Sequence, residues 1–182
     1  MGIDPTAFRR LMRHVATGVT VVGTRRPGDG RAHGLTANSI ASVSLAPPLV
    51  LVCIQRDLRS HDCIRDAGFF SINVLGEEHE GLSRHFANSA LENRFDGIPH
   101  DTAVTGAPIL PEALAWMDCR TWAAYPGGDH TIYVGEVVAA GARDGLPLLF
   151  LHGDYARVRL PRAEEEERRT AAREEREAVG AA

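Results

Sequence analysis

The chain has 182 residues, 44% of them apolar, and a formal net charge of -4 from 20 basic and 24 acidic side chains. That length and apolar share predict one soluble globular domain with a sizeable core; mixed-sign charge without a basic patch argues against a nucleic-acid or membrane partner and towards a small molecule or a protein. All the basic residues are arginine, which removes Schiff-base lysine chemistry and a P-loop lysine from consideration.

The N-terminal MGIDPTAFRR has no long apolar run, and no later stretch approaches the roughly 20 apolar residues of a membrane span. Asp4 and Pro5 read as an N-cap and a first helical residue, after which Phe8, Leu11, Met12 and Val15 recur at helical spacing until Gly18. GVTVVGT (18–24) is strand-like, RPGDGR (26–31) is a turn, and HGLTANS (33–39) returns as the second arm of a hairpin. The glycine spacing of GDGRAHG superficially matches a dinucleotide fingerprint, but His33 stands at the third glycine position and no helix follows, so a hairpin turn is predicted.

PPLVLVCIQ (47–55) is expected as a buried strand opened by two prolines. Ser60 is expected to cap a short helix, HDCIRDA, that ends at Gly68, and GFFSINVL (68–75) resumes as a strand. EEHEGLSRHFA (77–87) is a further helix; after an irregular stretch come strands at 116–125, 130–141 and 146–160. This spacing predicts a mainly β fold, an antiparallel barrel with a few flanking helices rather than alternating βαβ units, over residues 1–160. From Pro161 the composition turns to charge and alanine, with i,i+4 pairs Glu164–Arg168 and Glu165–Arg169. Residues 161–182 are therefore expected as a solvated helix or frayed tail, or as a partner-binding arm.

Cys53, Cys63 and Cys119 form no CxxC pair and are odd in number, which argues against a disulfide framework and for a reducing cytoplasm. No GxSxG or HExxH is present, and His79 and His85 have the wrong spacing for a shared metal face, so no metal is expected. Two stretches invite a chemical reading. Thr36, Asn38, Ser39, Ser42 and Ser44 set small hydrogen-bonding side chains beside an apolar strand, with Ala37 and Ala41 leaving room. That suits a flat heteroaromatic ring, or else a polar loop making its own turn bonds. In PGGDHTIYVGEVV (126–138) the glycines already supply the turn, so Asp129 and His130 are either a capped loop end or part of a site.

Taken together, TGVTVVGT, GLTANSIASVSLAPPLVLVCI, GFFSINVL, LSRHFA with RF nearby, and GGDHTIYVGEV resemble the short-chain flavin reductases, the NAD(P)H:flavin oxidoreductases of two-component monooxygenase systems. The resemblance runs in order from about Phe8 to Arg159. It implies an FMN-binding split barrel of Greek-key type, a homodimer with FMN or FAD near the subunit interface, NADH or NADPH as hydride donor, and a monooxygenase that receives the reduced flavin. It further implies that Thr36, Ala37, Asn38, Ser39 and Ser42 line the flavin ring and ribityl chain, and that Cys53, Gln55, Arg59, Ser60 and His61 surround the ring edge and phosphate. A helix starting at Ser60 would favour that phosphate. Phe86 and Arg94 would border the flavin's outer end, while His130, the catalytic-site residue of the GDH motif, and Tyr155 would seat the nicotinamide. A flavin-binding or electron-carrier protein that uses no nicotinamide is the alternative on the same fold.

Overall fold

The computed structural model describes residues 2–160; the expected tail over 161–182 lies outside the described residues. The first helix, α1 (Pro5–Met12), starts as its sequence dictates, with the Asp4 carboxylate accepting from the Ala7 amide at 2.9 Å and proline in the first turn. Strands β1 (Thr17–Gly18), β2 (Thr20–Arg25) and β3 (Ala32–Ala37) follow, the last two as a hairpin across the turn at 26–31. Then come β4 (Ile40–Leu45), β5 (Pro48–Gln55), α2 (Arg59–Ala67), β6 (Phe69–Val74), a 3-10 turn (Glu77–His79) and α3 (Glu80–Ala87). After a long irregular segment the chain forms β7 (Ala115–Gly127), β8 (His130–Ala142), β9 (Leu149–Leu151) and β10 (Asp154–Ala156).

Seven strands pair antiparallel in the order β3-β2-β6-β7-β8-β5-β4, and β1-β9-β10 make a second small sheet. This is the predicted antiparallel architecture, and the mainly β split barrel implied by the resemblance holds. Strand β2 divides two cores because successive side chains of a strand point to opposite faces. Val22 packs with Val52, Ile54, Phe70, Ile72 and Tyr133, together with Ile64 from α2. Its neighbour Val21 packs with Val19, Leu75, Leu110 and Leu148, together with Phe86 from α3. Each such large apolar side chain contributes about 1.5–3 kcal/mol on burial. Both helices beside β3 are thus fastened through a core residue.

Four sequence expectations need correction. Helix α1 ends at Met12 rather than running to Gly18, which lies in β1. Residues 146–160 are not one strand but β9 and β10, separated by a tight turn at His152 and Gly153, both at positive φ (57° and 90°). Ser60 does not cap α2: Leu58 occupies the cap position without a side-chain bond, and Ser60 lies inside the first turn with its hydroxyl directed elsewhere. The strand at 47–55 is only half buried, with Val52 and Ile54 alone fully enclosed. Gly68 does end α2, in the left-handed conformation at φ 73°.

Candidate functional site

Two adjoining cavities open where β3, the start of α2 and α3 meet. The larger, about 390 Å³, is walled by His33, Leu35, Thr36, Arg59, Ser60, Phe86, Glu92 and Arg94 among others. The smaller, about 210 Å³, is walled by Val19, Thr36, Ala37, Asn38, Ser83, Ala87, Phe150 and Tyr155. Thr36 and Ala87 belong to both walls, so the two cavities are neighbours. Gly34 beside them must be glycine, since a Cβ there would stand 2.7 Å from the Phe95 ring and 3.1 Å from the Phe86 ring.

The larger cavity is cationic. Arg59 occupies the first turn of α2, whose amides have no side-chain cap. Arg94 spends its hydrogen bonds on main-chain carbonyls, Nε donating to Asn88 and Nη1 to Gly34, each at 2.9 Å, and among the described residues it pairs with no carboxylate. Buried His33 bonds the Ser60 hydroxyl through Nε2 at 2.8 Å, and its Nδ1 has no partner. Burial first, then the charges of Arg94, Arg59 and Arg26, push the His33 pKa down to about 4, so the ring is neutral near pH 7. A cavity with these cationic side chains beside a second, more apolar one suits an anionic group attached to a larger body.

The smaller cavity is more open and more apolar. The Thr36 hydroxyl donates to the Ser83 carbonyl at 2.7 Å, the Ser83 and Tyr155 hydroxyls share a bond of 2.7 Å, and the Arg84 guanidinium lies 4.7 Å over the Tyr155 ring. The Asn38 amide nitrogen donates to Thr17 Oγ1 at 3.1 Å, which leaves its oxygen as an acceptor.

Of the residues the resemblance implies, Thr36, Ala37, Asn38, Arg59, Ser60, Phe86, Arg94 and Tyr155 line these cavities; six do not. The Ser39 hydroxyl donates to the Cys53 carbonyl at 2.9 Å, tying β5 to the β3–β4 connection. Ser42 sits where the β4–β5 register shifts, and Gln55 pairs across the sheet with His130. His61 bonds Thr131 Oγ1 through Nε2 at 2.9 Å. His130, 39% exposed at its side chain, bonds Asp129 Oδ1 through Nδ1 at 2.7 Å, and that bond lowers the Asp129 pKa. Asp129 therefore fixes the histidine tautomer, leaving Nε2 free to meet a ligand. Among the described residues Tyr155 lines the smaller cavity, and His130 lines neither of the two. Sequence reasoning passed over His33, Ser83, Glu92 and Phe150, which carry no local motif and reach the site only through long-range pairing.

A family model described as a flavin reductase like domain matches residues 12–159. The chain is 40% identical over 174 residues to a flavin reductase (NADH) of Kitasatospora aureofaciens, covering 93% of this chain and 88% of that one. It is 38% identical over 153 residues to the reductase component of a 4-nitrophenol 4-monooxygenase/4-nitrocatechol 2-monooxygenase of Rhodococcus opacus, covering 84% and 80%. Among solved structures it resembles an NADH:FAD oxidoreductase of Streptomyces globisporus in complex with NAD and FAD fragments, with a TM-score of 0.80, 36% identity, and coverage of 90% of this chain and 99% of that one.

Proposed function

The chain belongs to the flavin reductase family, and from that membership and its neighbouring cavities we infer that it is an NAD(P)H:flavin oxidoreductase, reducing FMN or FAD and supplying the reduced flavin to a partner monooxygenase. The observation that carries this reading is a more apolar cavity rimmed by Thr36, Ala37 and Asn38 beside a cationic one holding Arg59, Ser60 and Arg94. That donor set fits a ring system with carbonyl and nitrogen edges bearing a phosphate. When bound, the flavin supplies an N5 that accepts hydride from C4 of the reduced nicotinamide.

The chain's own work is binding and orientation. Asn38 holds the ring edge, Arg59 and the start of α2 hold the phosphate, and the Phe150–Tyr155 wall limits the ring's travel. His130 contacts the nicotinamide, with Asp129 keeping its Nε2 available. No general base is needed for a hydride transfer between two cofactors. Ser39, Ser42, Cys53, Gln55 and His61 extend the flavin environment along β4, β5 and the start of α2, in a site completed by a second copy of the chain. The exposed Val43 and Leu45 on β4 support a homodimer that covers this edge.

The test is NADH and NADPH oxidation over a concentration series of FMN, FAD and riboflavin, with wild-type protein and His130→Ala. Oxidation is expected only with flavin present and saturable in flavin. His130→Ala is expected to lower kcat/KM for the nicotinamide by about five- to 150-fold, the cost of a lost polar contact in the transition state, with flavin affinity unchanged. No oxidation with any flavin would sink the enzyme reading. A normal nicotinamide dependence beside weakened flavin binding would make His130 a structural residue.

A further inference from the structure

We propose that Glu92 is a built-in competitor for the flavin phosphate, a carboxylate that occupies the anion-binding end of the larger cavity and sets how readily flavin leaves. The proposal rests on the flavin reductase reading. Glu92 Oε1 lies 3.3 Å from Arg59 Nη1 and 3.9 Å from Arg26 Nη2. Arg26 is aimed there by its neighbours, Nη1 donating to Asn93 Oδ1 at 2.7 Å while Nη2 also faces Asp29 at 3.5 Å.

Around these groups the cavity is built for an anion from outside the chain. The first turn of α2, a helix of nine residues, has no side-chain cap. His33, only 3% exposed, forms part of the wall and keeps Nδ1 unpartnered, although buried polar atoms are nearly always bonded. Glu92 is in contrast 70% exposed, held by a hydrogen-bonded pair of 3.3 Å to half-exposed Arg59 and a looser contact of 3.9 Å to Arg26, and such exposed pairs are weak in water and easily broken. A phosphate monoester carries -1.5 to -2 charges and three acceptor oxygens, so it displaces a single carboxylate from Arg59. Glu92 is thus a removable stand-in, and it opposes binding only of those flavins that carry a phosphate. A flavin used as a diffusing substrate has to be let go, and a competing carboxylate promotes release without loosening the ring pocket.

The test is a set of titrations by flavin fluorescence, FMN against riboflavin, on wild type, Glu92→Gln, Arg59→Gln and the double variant. Glu92→Gln is expected to tighten FMN about two- to fivefold, the range of an exposed charge pair, with riboflavin unchanged. The gain is expected to shrink in high salt and to vanish in the Arg59→Gln background. Equal gains for FMN and riboflavin, or an FMN affinity that stays the same or falls, would overturn the role of Glu92 while leaving the flavin reductase reading intact. A wild type that binds neither flavin would overturn both. Glu92 is exposed and outside both cores, so matching thermal melts are expected and separate any affinity change from misfolding.

Discussion

His33 is the residue where burial and charge act most directly on one side chain. Its pKa is about 4 in the folded protein against 6.5 for the free group. Above pH 6.5 the ring is neutral in both states and contributes no pH dependence. Between pH 6.5 and 4 the unfolded chain takes up a proton that the folded chain refuses, so stability falls as pH drops through that window and levels off below 4. The fall from 6.5 to about 4 corresponds to about 3 kcal/mol at most. Urea midpoints measured from pH 7.5 to 4 should follow this slope in wild type and flatten in His33→Gln; equal slopes in the two proteins would show that other groups carry the acid sensitivity. The histidine's partner also marks what could be seen in advance. Ser60 stood out from its place at a helix start and does line the larger cavity, but not as a cap: its hydroxyl bonds a residue 27 positions away, and no local pattern encodes that bond. Thr36 and Asn38 stood out as small polar side chains beside an apolar strand, open to either a ring pocket or internal bonding, and they both line the smaller cavity and bond within the chain, to Ser83 and Thr17.

At the scale of elements, strand and helix positions were visible wherever period and punctuation agree. Asp4-Pro5 starts α1, Gly28 and Gly30 supply the positive φ of the β2–β3 turn, and Gly68 ends α2. The β9–β10 turn was missed because His152 takes a left-handed conformation that a non-glycine residue seldom adopts, so LPLLFLHGDY reads as continuous strand. Strand β4 was hidden by its alternating serines, which become strand through pairing with β5 rather than through burial. Strand β3 joins both levels, since it carries the cavity wall on one side and packs against α3 through Gly34. Gly34→Ala would place a Cβ between two phenyl rings and 3.1 Å from the Val22 carbonyl. Overpacking of this kind costs about 1–3 kcal/mol, and displacement of Phe86 would deform the cavity it lines. A lowered urea midpoint together with weaker flavin binding is the expected result; an unchanged midpoint would mean that the rings at this position yield freely.

For the whole molecule, the cores account for the barrel but leave apolar surface that a solitary chain has no reason to expose. Helix α1 has no buried residue, and Phe8, Leu11, Met12 and Val15, which recur at helical spacing, are all exposed. An amphipathic helix with a bare apolar stripe is stable when something covers it. Leu45, 96% exposed at the tip of the β4–β5 hairpin, and Trp122 and Tyr125 on β7 add to the same surplus. The described part of the chain contains no helix long and apolar enough to cross a membrane, so that role is not open to α1. The homodimer of the proposed function would cover this surface, and a second copy would also account for Gln55 and His130 lying outside the two cavities described above. Light scattering at micromolar concentration should therefore give twice the 19.7 kDa chain mass. Phe8→Glu with Leu11→Glu, and separately Leu45→Glu, should shift the protein towards monomer without lowering the helix or strand signal in circular dichroism, because none of the three side chains belongs to a core. If the second copy completes the site, flavin affinity will fall in step with the dimer fraction and recover at high protein concentration. A monomeric variant that binds flavin as tightly as wild type would confine the site to one chain and leave the apolar stripe of α1 to a different partner.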